Sequence, residues 1–206
     1  MKFGQEYFEF CKNNNGFDMN CIGDWQNRYF EMLVDIFEEH IGKKHKMFDM
    51  GCATGVLVET FRRNGFENMW GGDVSDWYIE ASPFKEVKQR LVNIESGKLP
   101  FSNDMFYFIH MSQVIEHIPE EAIPAVLNEL YRVLMPGGIL YISTVGPAKP
   151  GDTDIDPTHV SLFTREKWEQ FFLSAKFRDA FGFYKQRFEN NKMAKEYNWV
   201  NFVLTK

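Results

Sequence analysis

The chain has too few cysteines for a disulfide framework and no CxxC pair for a thiolate metal site. Cys11, Cys21 and Cys52 are odd in number and widely spaced, which fits free thiols in a reducing compartment. Positive charge is also scarce: 23 Lys and Arg face 29 Asp and Glu, a net charge of −6. Nucleic-acid affinity comes largely from cationic side chains neutralising phosphates, so this balance argues against a polyanionic partner. The one basic cluster, Lys43-Lys44-His45-Lys46, reads as a solvated loop ahead of a strand. No uninterrupted apolar run reaches the ~18 residues of a membrane span, and no charged-then-apolar leader opens the chain. Internal repeats and low-complexity linkers are absent too. A soluble, cytoplasmic protein without membrane partners is expected.

What is present is a foldable core. The 206 residues are 44% apolar and include 21 Phe, which suits one domain of ordinary size. Trp25, Tyr29, Phe30, Leu33, Val34, Phe37 and Ile41 recur at helical spacing behind Asp24 as a cap. Met47 to Met50 reads as a short strand, and Leu57, Val58 and Phe61 as a helix face that Asn64-Gly65 can end. Asn68 to Gly72 reads as a strand closing at Asp73, and Phe106 to Met111 as a buried central strand. Ile123, Val126, Leu127, Leu130 and Leu134 mark a helix, with Glu120 and Glu121 at its positive end and Pro136-Gly137-Gly138 as its stop. Ile139 to Val145 reads as a further strand. Thr164 caps a helix through Trp168, Phe171, Phe172 and Ala175. Phe181 to Phe188 and Trp199 to Leu204 read as two terminal strands, paired antiparallel at a sheet edge. The alternation predicts an α/β fold: a Rossmann-like, seven-stranded, mainly parallel sheet with an antiparallel edge strand and helices on both faces.

The densest signal is Asp49-Met50-Gly51-Cys52-Ala53-Thr54-Gly55, set between the first strand and the helix that follows it. Small residues there let a strand turn tightly into a helix, whose first amides can approach a ligand closely. Asp73 lies 22 positions beyond Gly51, where an acidic residue can accept from ribose hydroxyls. A dinucleotide site would show GxGxxG; here Ala53 holds the middle place and Val56 the last, which counts against a nicotinamide cofactor.

Downstream, Leu99-Pro100-Phe101, the Phe106–Met111 run, Gln113-Val114-Ile115-Glu116-His117-Ile118 and Glu129-Leu130-Tyr131-Arg132-Val133-Leu134-Met135-Pro136-Gly137-Gly138 follow in order, then His159, Phe163, Thr164 and Trp168. This succession resembles the class I S-adenosylmethionine-dependent methyltransferases, most of all those acting on small molecules and glycans. Tyr107 stands where that family usually has Asp, a change that leaves the strand apolar. The resemblance implies a single methyltransferase domain, with residues 1–45 as a helical cap over the cofactor and acceptor site and 46–206 as the Rossmann-like core.

It also implies the cofactor contacts. Asp49, Gly51, Cys52, Ala53 and Gly55 would line the methionine and ribose portions, Asp73 would hold the ribose hydroxyls, and Val74 would lie against the adenine. Asn93 and Ile94 would flank the adenine amine, and Ser112 and Gln113 would lie near the sulfonium. For the chemistry, His117 and His159 are candidate bases, with Asp156 orienting His159. If residues 113 to 117 begin a helix, Gln113, Glu116 and His117 share a face. With His159 that face resembles the magnesium site of plant-type small-RNA 2′-O-methyltransferases, so Glu116, His117 and His159 are candidate ligands for Mg2+ or Mn2+. The same Glu-His pair also occurs in metal-free relatives. Aromatics at Phe3, Tyr7, Phe8, Phe10, Phe17, Trp25, Trp77 and Tyr78 suit the apolar faces of a sugar or a flat ring. The expected activity is O-methylation of a sugar or glycan hydroxyl. The alternatives are another small metabolite or an RNA 2′-hydroxyl as acceptor, an NAD-dependent oxidoreductase, and an inactive cofactor-binding module.

Overall fold

The structure, a computed structural model, describes residues 3–15, 24–94, 98–147, 156–196 and 199–206. Its helices are α1 (Gln5–Asn15), α2 (Asp24–Phe37), α3 (Val56–Arg63), α4 (Asp76–Ala81), α5 (Lys85–Lys88), α6 (Ile123–Val133), α7 (Arg165–Ser174), α8 (Phe181–Asn190) and α9 (Lys192–Glu196). Its strands are β1 (Met47–Met50), β2 (Met69–Asp73), β3 (Leu91–Asn93), β4 (Phe106–Ser112), β5 (Leu134–Thr144), β6 (Arg178–Asp179) and β7 (Val200–Thr205).

Along each central strand, neighbouring residues feed opposite layers. Met47, Phe108, Tyr141 and Val203 pack on one face with Leu33 and Phe37 of α2, Leu57 and Phe61 of α3, and Tyr184 and Phe188 of α8. Phe48, Ile109, Leu140 and Phe202 pack on the other with Ile123, Leu127 and Leu130 of α6 and Trp168 and Phe172 of α7. Strands buried on both sides are therefore largely apolar, which is how a parallel sheet reads in sequence, with polar residues such as Asp49, Asp73 and His110 as exceptions. Each fully buried Leu or Phe contributes about 1.5–3 kcal/mol of transfer free energy.

The strand order is β3-β2-β1-β4-β5-β7-β6. β1, β2, β3, β4 and β5 are parallel, whereas β7 runs antiparallel to both β5 and β6. The order reverses between β1 and β4, so the carboxyl ends of these two strands open the crevice where ligands of such sheets bind.

Two expected elements differ. Phe181 to Phe188 is helix α8, not a strand: Tyr184 and Phe188 are buried while Phe183 is 69% exposed, a helical stripe that aromatic content had disguised as β. The partner of β7 is instead the two-residue β6. Pro136-Gly137-Gly138 does not stop α6, which ends at Val133, and Leu134 is already extended and paired with Phe106. The Pro-Gly-Gly segment bulges out of β5 before Ile139 resumes pairing with Phe108, with Gly137 at φ 75°.

Asn64 and Gly65 end α3 as expected, and the Thr164 hydroxyl accepts from the Lys167 amide at the start of α7. The side chains of Phe8, Asp24 and Trp25, and all of Phe17 and Cys21, lie outside the described residues. Cys11 and Cys52 are free and buried. Among the described residues, no helix is long and apolar enough to cross a membrane.

Candidate active site

The glycine turn caps β1 at the crevice. Gly51 has φ 79°, and a Cβ there would sit 2.2 Å from Val114 Cγ2, so only glycine fits between the turn and the loop after β4. The amides of Gly51 and Cys52 both donate to Gly72 O, at 2.7 and 3.1 Å. The Ala53 amide donates to Asp73 Oδ2 at 2.9 Å, and the Ser75 amide to Oδ1 at 2.9 Å. Burial pushes the Asp73 carboxyl up to about 6, against the opposing pull of these amides. Gly55, at φ 86°, leads into α3. Burial likewise pushes the Cys52 thiol well above its usual range.

The other expected cofactor residues ring the same edge. Val74 is 51% exposed at the end of β2. Asn93 at the end of β3 donates to Asp76 Oδ1 at 2.7 Å, and Ile94 is buried beside it. Ser112 ends β4 and bonds Ser143 Oγ at 2.5 Å, while Tyr29 of α2 donates to it at 3.1 Å. Gln113 follows with φ 54°, its amide on Ser143 O and its Nε2 buried without a partner among the described residues. The turn after it covers only Ile115–His117 and is of the 3-10 type. Gln113 therefore lies outside that turn, and the shared helical face with Glu116 and His117 does not form.

The acceptor side is assembled by side chains. Asp156 accepts from the Thr158 amide (2.9 Å) and hydroxyl (2.6 Å), and from Tyr7 Oη of α1 (2.8 Å). Burial works to raise the Asp156 carboxyl, but these donors and the nearby His159 outweigh it and hold it below the usual range. His159 Nε2 lies 3.7 Å from Asp156 Oδ2, longer than a hydrogen bond. The Thr158 hydroxyl is also 2.9 Å from His117 Nδ1, and the His117 and His159 rings meet edge-on at 4.7 Å. Glu116 is fully buried, takes a 2.9 Å bond from Thr144 Oγ1 and anchors the amides of Val160 and Ser161 through its carbonyl. Glu116, His117 and His159 each offer a ligand atom within 4.8 Å of the others. Over them lies α1 with the residues just before it: Phe3, ahead of the helix, and Tyr7, within it, are edge-on to His117, and Phe10 packs among Ala53, Trp77 and Tyr78.

Two motif stretches prove to be one device. Glu129 accepts from the Leu99 amide, while Arg132, paired to Glu129 at 2.7 Å, donates to Leu99 O and Phe101 O. The Glu-x-x-Arg of α6 thus ties down the Leu-Pro-Phe loop.

Residues 24–202 match a family model described as a methyltransferase domain. The chain belongs to that family. The placement replaces the NAD-dependent oxidoreductase alternative. A ubiquinone biosynthesis O-methyltransferase of Acinetobacter baylyi is 23% identical over 55% of this chain and 50% of its own. A demethylmenaquinone methyltransferase of Symbiobacterium thermophilum is 27% identical over 56% and 47%. The chain thus spans about half the length of the curated relatives it matches. A S-adenosylmethionine-dependent methyltransferase structure from Archaeoglobus fulgidus shares the fold over 97% of this chain and 99% of that one, with a TM-score of 0.68 and 16% identity.

Two contributors escaped the sequence reading: Thr158 and the role of Tyr7 left no trace, since Tyr7 meets Asp156 across 149 positions.

Proposed function

We propose that the protein is an S-adenosylmethionine-dependent O-methyltransferase acting on a hydroxyl of a sugar or glycan. The observation that carries the proposal is the convergence of Asp156, His159 and His117 in the region of the loop after β4, whose Val114 faces Gly51 of the glycine turn. The sulfonium donor brings its own leaving group, so transfer is an in-line displacement that depends on alignment. A sugar hydroxyl has a high pKa and gains further from a base. His159 takes that proton, and Asp156, held ionised by Thr158 and Tyr7, stabilises the imidazolium that forms. His117, its Nδ1 engaged by Thr158, is the second base candidate.

In this reading Gly51, Cys52, Ala53 and Gly55 line the methionine and ribose portions of the cofactor with Asp49, and Asp73 accepts from the ribose hydroxyls. Val74, Asn93 and Ile94 surround the adenine, Ser112 and Gln113 lie near the sulfonium, and α1 closes the site as a cap. The donor set Glu116, His117 and His159 also fits a divalent ion. Two imidazoles with one carboxylate suit Mn2+ better than Mg2+, which prefers all-oxygen shells. Such an ion, when bound, would occupy both imidazoles and, in place of a histidine base, would lower the pKa of the acceptor hydroxyl.

A hydroxyl of another small metabolite, such as a phenol, is the second reading, in line with the name of one relative, a ubiquinone biosynthesis O-methyltransferase. Titration with S-adenosylhomocysteine, then turnover over sugar and phenol panels with Mn2+ or chelator, separates these outcomes. Sugar turnover sustains the proposal, phenol-only turnover moves it to the second reading, and binding without any turnover leaves a cofactor-binding module.

A further inference from the structure

Beneath the glycine turn lies a buried ionisable pair that the reaction above does not use. Asp49 of β1 and His110 of β4 are register partners on adjacent parallel strands. Their side chains are each 5% exposed, and His110 Nδ1 is 2.6 Å from Asp49 Oδ1. The imidazole ring stacks on Tyr141 at 5.7 Å and lies 6.4 Å from the Tyr29 ring, so its plane is fixed. Its Nε2 is buried without a partner among the described residues.

A histidine in the middle of a sheet core is expensive unless its polar atoms are used. A carboxylate only accepts, so Nδ1 carries the proton shared with Asp49, and the length of the contact marks a charge-assisted bond. In this tautomer Nε2 presents a lone pair, and a bare acceptor in a core costs less than a bare N–H. The imidazole thus supplies a directed donor without cancelling the carboxylate's charge, as an Arg or Lys would. Asp49 acts at the turn itself, because its charge is felt at both Asp73 and Cys52. Two carboxylates at one turn favour a cationic ligand group, and one of them has its orientation set from behind.

We propose that His110 is a positioning residue for the cofactor: by holding one oxygen of Asp49 it aims the other at the ammonium of the cofactor's amino-acid end. The proposal rests on the reading that Asp49 lines the methionine portion. It predicts that His110 matters only for ligands that carry that ammonium.

Calorimetric titration of the full chain with two ligands tests it: S-adenosylhomocysteine, and 5′-methylthioadenosine, which has the adenosine and sulfur but no amino-acid end. His110→Phe keeps a ring against Tyr141 and removes the donor. It should weaken S-adenosylhomocysteine about 10- to 100-fold, the worth of a hydrogen bond to a charged group, and leave 5′-methylthioadenosine unchanged. Asp49→Asn should show the same selective loss. His110→Asn, whose amide takes the place of Nδ1–H, should restore binding, and His110→Gln, whose amide reaches the Nε2 position, should not. If His110→Phe does not fold, the Asn and Gln pair decides the matter alone. Equal weakening of both ligands, or of neither, overturns the positioning role and leaves His110 a packing residue. Failure of the unsubstituted chain to bind either ligand instead sinks the cofactor reading.

Discussion

The two halves of the crevice are built by different means. On the β1–β2–β3 side, contacts are made mostly by backbone: Gly51 and Cys52 amides on Gly72 O, the Ala53 amide on Asp73, and positive φ at Gly51, Ala53 and Gly55. On the β4–β5 side they are made by side chains from segments far apart: Tyr7 on Asp156, Thr158 on His117, Thr144 on Glu116. Backbone geometry constrains which residue types fit, whereas a side-chain cluster can be rebuilt with other residues. The first arrangement suits an invariant ligand, and the second suits one that differs between relatives.

The comparison breaks most severely at Gly51. Gly51→Ala would press its Cβ to within 2.2 Å of Val114 Cγ2 and force alanine into left-handed backbone. A loss of about 2–4 kcal/mol in urea unfolding is expected, together with loss of S-adenosylhomocysteine binding. Adding Val114→Ala should return the steric part and leave the backbone strain.

On the other half, His159→Ala should cut turnover about 10²- to 10⁴-fold while S-adenosylhomocysteine affinity stays within about threefold. Parallel loss of both would mean that the halves are not separable.

A pH titration sharpens the cofactor side. In the proposed role Asp73 accepts from both ribose hydroxyls best as a carboxylate, and its carboxyl is raised to about 6 by burial. Affinity for S-adenosylhomocysteine should therefore fall as pH drops through about 6, by at most tenfold per pH unit, and Asp73→Asn should flatten the profile. Stability of the unliganded chain carries the opposite sign. The native state binds a proton that the unfolded chain has released, so ionising Asp73 costs stability as pH rises from about 4 to 6. Denaturant midpoints across that range check this sign.

The smallest effect is expected at Tyr7→Phe, which removes one donor from Asp156. Turnover should fall about 3- to 10-fold with cofactor affinity unchanged, because Asp156 keeps both Thr158 bonds.

The same division decided what could be read from the chain. The sheet and the glycine turn were legible because burial on both faces demands apolar runs and a tight turn demands small residues. Helix α8 was not, because Phe, Tyr and Phe at Phe181, Tyr184 and Phe188 satisfy strand preference as well as a helical stripe. Leu134 was assigned to the helix for a similar reason: it is fully buried either way, and only its pairing with Phe106 reveals the strand. Asp156 and His159 were visible as residue types capable of acid–base chemistry. Their alliance with Tyr7 and Thr158 was not, since it depends on where α1 docks. Gln113 was misplaced onto a helical face because residue spacing cannot announce a φ of 54°.

The insertion of β7 between β5 and β6 has a consequence for how the chain is made. β5 is complete at Thr144, yet the strand that covers its free edge begins only at Val200. At ordinary synthesis rates the intervening stretch takes roughly 3–10 s to emerge. For that interval a nascent β5 would present Leu140, Tyr141 and Ile142 on an unpaired edge, the kind of template on which other chains assemble. The strand antiparallel to its neighbours is thus also a late seal, and truncations that stop short of Val200 should yield aggregates.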